Sequence, residues 1–87
     1  MNKEIWILGI YISDRMKEIQ QIQYILTKFG CSIKTRLGLH ELTDEYCSPA
    51  GVMILELTGE ISEFQKLENE LLKIEGIQVK KMVFTQG

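Results

Sequence analysis

Apolar and polar positions along the chain predict a strand, a helix and a second strand, and then the same order again. The first run, EIWILGIYI at residues 4–12, is almost unbroken and is typical of a strand buried on both faces. Asp14 is the predicted N-cap of the helix that follows. In this helix apolar side chains recur at spacings of three and four, which indicates one apolar stripe: Ile19, Ile22, Leu26 and Phe29. We expect Gly30 to end the helix in the left-handed conformation.

A strand with one solvated face is predicted next. Residues 31–39 (CSIKTRLGL) alternate between apolar and polar positions, which places Ile33, Thr35 and Leu37 on one predicted face. Cys31, directly after the glycine, is predicted to be a small packed residue rather than a reactive thiol.

The second half of the chain repeats this order. Residues 51–57 (GVMILEL) predict an apolar strand, residues 61–74 an amphipathic helix that ends at Gly76, and residues 77–84 a strand that carries charge. A β-α-β-β-α-β order predicts one α+β domain over residues 1–87 with a ferredoxin-like sandwich. Its four-stranded antiparallel sheet has two helices on one face, because right-handed crossovers place both helices there.

The faces of the predicted sheet differ in what covers them. The apolar first and third strands are expected at the centre, and the second and fourth, with Lys34, Arg36, Lys80 and Lys81, at the edges. Both central strands are apolar on both faces, yet the helices cover one face only. An uncovered apolar face is typical of an interface. We therefore hypothesise a homodimer or tetramer that meets through open sheet faces or through paired edges.

Composition and charge narrow the function classes. The net charge of -2 over 87 residues gives no electrostatic reason to expect nucleic acid. The apolar start is too short for a membrane span and lacks the cleavage site of a secretory signal. Two cysteines are too few for a disulfide framework, so a reducing cytoplasm is the expected compartment.

Several classes that use this fold need residues that the chain lacks. Heavy-metal chaperones need closely spaced cysteines in the first loop, and ferredoxins need clustered cysteines. Acylphosphatase-like enzymes need a glycine-rich anion cradle beside an arginine, and RNA-recognition motifs need aromatic residues on the third strand. These eliminations leave the ligand-sensing and regulatory branch of the fold. An enzyme is the least favoured hypothesis, because no nucleophile–base pair, acid pair or phosphate loop can be assembled, and the prediction is a protein without enzymatic activity and without a cofactor.

Three blocks carry a resemblance to a known family: Ser13-Asp14-Arg15, Arg36-Leu37-Gly38-Leu39, and the closing glycine strand EGIQVK at residues 75–80. With these in order, the chain resembles the iron-only hydrogenase system regulators, which are small stand-alone ACT-like proteins. The resemblance implies a cytoplasmic dimer or tetramer that acts as a regulatory or accessory protein. The family is also similar to the ligand-binding domain of nickel-responsive repressors. Since their DNA-binding segment is missing here, the prediction is against direct DNA binding.

Arg36 and Gly38 rank first as ligand-binding candidates. An arginine at the end of the second strand could anchor a carboxylate or phosphate through paired hydrogen bonds. Ser13, Asp14 and Arg15 are the second candidates, because the start of a helix offers free amides. The alternatives are an edge-strand charge with a strand-end glycine, and an ordinary N-cap at Asp14.

His40 and Cys47 are weak metal candidates. Imidazole and thiolate together suit zinc or nickel, but a single histidine cannot supply the set that the nickel-responsive proteins use. An ordinary loop between the two halves is the favoured interpretation. Two function hypotheses then stay open: a regulatory protein that senses a small effector at a subunit interface, and a ligand-free oligomerisation module that binds a partner such as a hydrogenase-related protein.

Overall fold

The computed structural model describes residues 3–13, 15–38 and 51–86, without the side chains of residues 15–17. Asp14, His40 and Cys47 lie outside the described residues. The elements follow the predicted order: β1 (Lys3–Ile12), α1 (Arg15–Lys28), a 3-10 turn (Gly30–Ser32), β2 (Ile33–Gly38), β3 (Gly51–Leu57), α2 (Ile61–Leu72) and β4 (Ile77–Gln86).

The strands form an antiparallel sheet in the order β2-β3-β1-β4. The apolar strands β1 and β3 are central and the charged strands β2 and β4 are at the edges, which confirms the ferredoxin-like prediction. β1 pairs with β4 from Lys3↔Gln86 to Ile12↔Ile77. Its pairing with β3 begins only at Ile7↔Glu56.

The core lies between the sheet and the two helices. Every second residue of β1 and of β3 is buried, as strand alternation requires, and the helix stripes close over these residues. The core residues of the strands are Trp6, Leu8, Ile10, Ile12, Met53, Leu55 and Leu57. Those of α1, α2 and the turns that follow them are Ile22, Ile25, Leu26, Phe29, Phe64, Leu67, Leu71 and Ile74.

The end of α1 differs from the prediction. Gly30 is not left-handed, because the positive φ angles among the described glycines are those of Gly38, Gly59 and Gly76. The chain instead tightens into a 3-10 turn, in which the N–H of Ser32 donates to the carbonyl of Phe29 at 2.8 Å. Such a turn satisfies the last helical carbonyls without a left-handed residue.

The packing prediction for Cys31 is also wrong. The thiol is free and exposed, and Ser32 is the buried residue of this turn. A 3-10 turn directs successive side chains about 120° apart, so only one of these two neighbours faces the core. Gly76, by contrast, is left-handed at a φ of 89°. The prediction that it ends the second helix is nevertheless wrong, because α2 already ends at Leu72 and Gly76 lies in the turn before β4.

A β-bulge breaks the alternation predicted for β2. Ile33 lies opposite Leu57, but Thr35 lies opposite Glu56, so the register shifts between them. The extra residue moves Ile33 to the helix side, where it packs on the core. Thr35 and Leu37 consequently lie on the other side of the sheet.

Candidate functional site

The candidate site is the face of the sheet that the helices leave uncovered, here called the open face. It consists of the strand residues that alternate with the core positions: Lys3, Ile5, Ile7, Gly9, Tyr11, Thr35, Leu37, Val52, Ile54, Glu56, Gln78, Lys80, Met82, Phe84 and Gln86. Its large apolar side chains are 42% to 59% exposed: Tyr11, Leu37, Val52, Ile54, Met82 and Phe84. This face joins residues from all the described strands, so the predicted apolar face is present.

Two opposite charges flank the central strand on the open face. Glu56 is on β3, opposite Ile7, and Lys80 is on β4, opposite Gly9. Glu56 accepts a hydrogen bond from Thr35 Oγ1 at 3.1 Å and has Lys34 Nζ at 3.9 Å. Within the described residues no acidic side chain forms an ion pair with Lys80.

Gly9 leaves a gap near the centre of the open face. Ile54 lies directly opposite it on one side and Lys80 on the other. Its φ is not in the left-handed range, and a Cβ added here would meet nothing within 4 Å. Neither backbone conformation nor packing against the described residues therefore requires a glycine at this position. Sequence reasoning missed it, because a glycine within an apolar run reads simply as part of the strand.

Arg36 and Gly38 both have partners within the fold. Arg36 lies opposite Leu55, on the helix side of the sheet, and its Nη1 donates to Oε1 of Gln23 in α1 at 3.2 Å. Gly38 has a φ of 114°, and a Cβ there would collide with the carbonyl oxygen of Val52. The glycine therefore permits the end of β2 to approach β3 closely. The exposed guanidinium remains accessible from solvent beside this strand end.

Ser13, the described residue of the second candidate group, is tied to the chain before β4. Its Oγ donates to the carbonyl oxygen of Gly76 at 2.6 Å, and its N–H reaches the same oxygen at 3.2 Å. Beside them Glu18 is almost fully buried, with 3% of the residue exposed, and a Cβ on Gly76 would collide with its carboxylate. An acidic side chain of this helix thus already fills the space around Gly76. The sequence offered one signal for it, an acidic residue in the first turn of a helix.

Among the described candidates, Gly38 and Ser13 do not share one pocket. β1 and β2 run parallel with β3 between them, and Gly38 is level with Ile10. Two strand spacings and three residues of rise separate Gly38 from Ser13, which is roughly 14 Å between Cα atoms. Gly38 and Ser13 therefore share one end of the sheet without touching.

A groove of about 450 Å³ lies on the opposite, helical side of the molecule. Its polar lining includes Gln20, Tyr24, Glu70 and Lys73. Lys28 Nζ and Glu70 Oε2 are 2.7 Å apart, and this hydrogen bond raises the pKa of Lys28 above its ordinary value of 10.5. Of the predicted ligand residues whose side chains the structure describes, none lines the groove.

Metal binding stays a prediction without a test, because His40 and Cys47 are outside the described ranges. Within those ranges, no group of three or more His, Cys, Asp or Glu side chains is placed to hold a metal ion. Among the described helices, none is both long and apolar enough to cross a bilayer.

Comparisons with known proteins identify the fold. Neither the protein-family models nor the curated proteins give a match to this chain. Among solved structures, an uncharacterised protein of Thermotoga maritima superposes with a TM-score of 0.77 at 24% identity, covering 94% of this chain and 99% of that one. The ACT domain from a GTP pyrophosphokinase of Chlorobium tepidum gives 0.68 at 18% identity, covering 90% and 96%.

A third similar structure is a nitrogen regulatory PII-like protein of Thiomonas intermedia, bound to ADP, AMP and bicarbonate. Its TM-score is 0.57 at 14% identity, with 100% of this chain and 94% of that one covered. These likenesses show a ferredoxin-like, ACT-like fold.

Proposed function

We propose that this protein is a non-enzymatic regulatory or accessory protein that works as a homo-oligomer through its open face. One observation carries the proposal: the large apolar side chains that this face exposes on both sides of Gly9. At about 200 Å² for each full side chain, their exposed fractions amount to roughly 600 Å². Monomeric proteins rarely expose a contiguous apolar patch of more than a few hundred Å². A standard interface buries about 800 Å² on each partner, so the face has the size that a second copy would cover.

The regulatory role is supported by the kind of protein that shares the fold. A domain of a GTP pyrophosphokinase and a nitrogen regulatory PII-like protein are among the similar structures. Because one fold hosts many functions, this support is an analogy. The blocks at residues 13–15, 36–39 and 75–80 add the resemblance to iron-only hydrogenase system regulators, and we include that system in the proposal.

An anionic small effector is proposed to bind beside Arg36, whose side chain lies on the helix side of the sheet and stays accessible when a second copy covers the open face. The guanidinium is exposed and donates at 3.2 Å to the amide of Gln23, which is neutral, so its charge can still pair with a carboxylate or phosphate. A thermal-shift screen over amino acids, nucleotides and S-adenosylmethionine tests this, since a ligand that binds only the native state raises its stability. The effect should disappear in Arg36→Gln and remain in Lys34→Gln, the matched control on the same strand.

Contacts within the chain also favour a second candidate function, that of a ligand-free oligomerisation module that binds a hydrogenase-related protein. Gly38 and Ser13 are both explained by contacts within the chain, with Val52 and Gly76. The module is favoured if no compound in the screen shifts the melting temperature while the protein still associates.

The hydrogenase role needs a test in cells. Deleting the gene should change iron-only hydrogenase activity per cell, and wild-type protein should restore it. Ile54→Arg, which puts a charge on the open face, should fail to restore it, whereas Leu72→Arg on the exposed side of α2 should succeed. Unchanged hydrogenase activity in the deletion strain would contradict this role and leave the oligomer intact.

A further inference from the structure

Among the described residues of a single chain, nothing accounts for the gap at Gly9. A glycine in the interior of a strand weakens it, and it commonly marks a place where another molecule approaches closely. Here the backbone does not need a glycine, and the space above it is open. The gap lies between Ile54 and Lys80 and next to Ile7 and Tyr11, all on the face that exposes the apolar patch.

The charges beside this gap are placed so that they can pair with the opposite charges on a second copy of the same surface. Glu56 and Lys80 lie on the strands to either side of β1, opposite Ile7 and Gly9, so their levels are two residues apart along β1. A two-fold axis that lies in the interface and crosses β1 between Ile7 and Gly9 exchanges these two positions. An isologous contact uses the same patch on both subunits, so such an axis brings Glu56 of each copy to Lys80 of the other.

We infer that two copies associate face to face over Gly9, with reciprocal Glu56–Lys80 ion pairs that set the register of the contact. The apolar side chains supply the buried area, and the gap at Gly9 accepts a side chain of the second copy. The Lys34 contact of Glu56 is long, at 3.9 Å, and the carboxylate has lone pairs left for a second cation. The inference rests on the association proposed above and adds its geometry.

Charge reversal tests the reciprocal pairs. Glu56→Lys or Lys80→Glu places like charges against each other at both symmetry-related positions, so each should weaken association at least about tenfold. The double variant recreates the pairs with reversed signs and should recover most of the wild-type affinity. Sedimentation velocity over a concentration series gives the dissociation constants. Lys73→Glu, an exposed lysine beyond the end of α2, is the control and should leave association unchanged.

Leucine substitution tests the gap. Gly9→Leu has open space above its backbone in the single chain, so the protein should fold with unchanged circular dichroism. In the face-to-face contact the leucine occupies the space of the second copy, and association should fall about a hundredfold. Gly30 also has nothing within 4 Å, but it lies in the turn after α1, so Gly30→Leu is the control that should associate normally.

The possible results distinguish the face-to-face geometry from the homo-oligomer on which it rests. Wild-type protein that stays monomeric at about 100 μM, many times above typical specific dissociation constants, overturns both. Association that Ile54→Arg leaves intact places the contact on an edge and overturns the face-to-face geometry. A third outcome is that Ile54→Arg abolishes association, but the double charge reversal does not restore the affinity lost in the single reversals. That outcome overturns the reciprocal pairs and leaves the face-to-face contact.

Discussion

At the scale of single residues, the structural reasons for a glycine differ from one position to another. Gly38 is required by a positive φ and by the carbonyl oxygen of Val52, and Gly76 by a positive φ and the Glu18 carboxylate. Gly9 has neither constraint. The sequence shows the same letter at all these positions, because what distinguishes them is the position of neighbours that are distant in sequence.

Gly38→Ala should lower the free energy of unfolding by at least about 2 kcal/mol, since it combines a strained φ with a collision against backbone. Gly9→Ala is the matched control within another strand and should raise stability by up to about 1 kcal/mol. Urea denaturation followed by circular dichroism measures both, at protein concentrations below any association. Equal losses in the two variants would contradict this difference between the two glycines.

Gly76→Ala should also destabilise the protein, and part of that loss should depend on Glu18. The added Cβ meets a side chain that can be shortened, so Glu18→Ala relieves the collision but leaves the strain of the φ of 89°. A double-mutant cycle should therefore give a coupling energy of about 1 kcal/mol or more in the compensating direction. Strict additivity of the two substitutions would show that the carboxylate moves aside at no cost.

At the scale of elements, the two helices are joined across their outer surface by Lys28 of α1 and Glu70 of α2. Their hydrogen bond raises the pKa of the Lys28 ammonium group in the folded state. A raised folded-state pKa means that the contribution to stability is complete below the ordinary value of 10.5 and is lost as pH rises through the raised value. Since the pair is exposed, its contribution is small.

Lys28→Met should therefore destabilise the protein slightly near pH 8 and have no effect above the raised pKa. The difference in urea midpoint between wild type and variant gives the contribution at each pH. Lys73→Met, a lysine without an ion pair among the described residues, should show no such pH-dependent difference. If the difference in urea midpoint between wild type and Lys28→Met became larger at high pH, it would contradict a raised pKa of Lys28.

Element order, core stripes and strand positions could be predicted because they follow from local periodicity. β1 and β3 alternate on a period of two, and the helix stripes on a period near 3.6, so the sequence alone shows which residues share a face. Because both faces of β1 and β3 are apolar, it does not show which of the two faces the helices bury. The bulge between Ile33 and Thr35 could not be predicted, since it depends on how β2 pairs with β3. Likewise the partners of Arg36 and Ser13 belong to other elements, so the candidate residues were identified without their contacts.

At the scale of the whole molecule, the two helices cover only one face of the sheet. The helices bury one face, while the open face has an apolar surface and charges of both signs. If a second copy covers this face, folding and association are linked through protein concentration. The isolated chain would then be a less stable form of the protein than its assembly.

The melting temperature should accordingly rise by roughly 3–6 °C for each tenfold increase in protein concentration, as expected for a dimer of domains this small. Differential scanning fluorimetry between low and high micromolar concentrations measures it. Ile54→Arg should melt at one temperature throughout, and Leu72→Arg should follow the wild type. A wild-type melting temperature that does not change with protein concentration would contradict the linkage between folding and association.

The unequal length of the strands has a consequence for local opening. β1 pairs with both neighbours from Ile7 onward, but residues 3–6 pair with β4 alone among the described strands. Two-stranded ribbons are marginal without further packing, and Trp6 supplies that packing by contacting Phe64 of α2 and by lying under Lys81, 4.1 Å away. Hydrogen exchange should thus begin at this end of the sheet and spare the centre. Tryptophan fluorescence would then report the detachment of one ribbon, an event that precedes the loss of the fold.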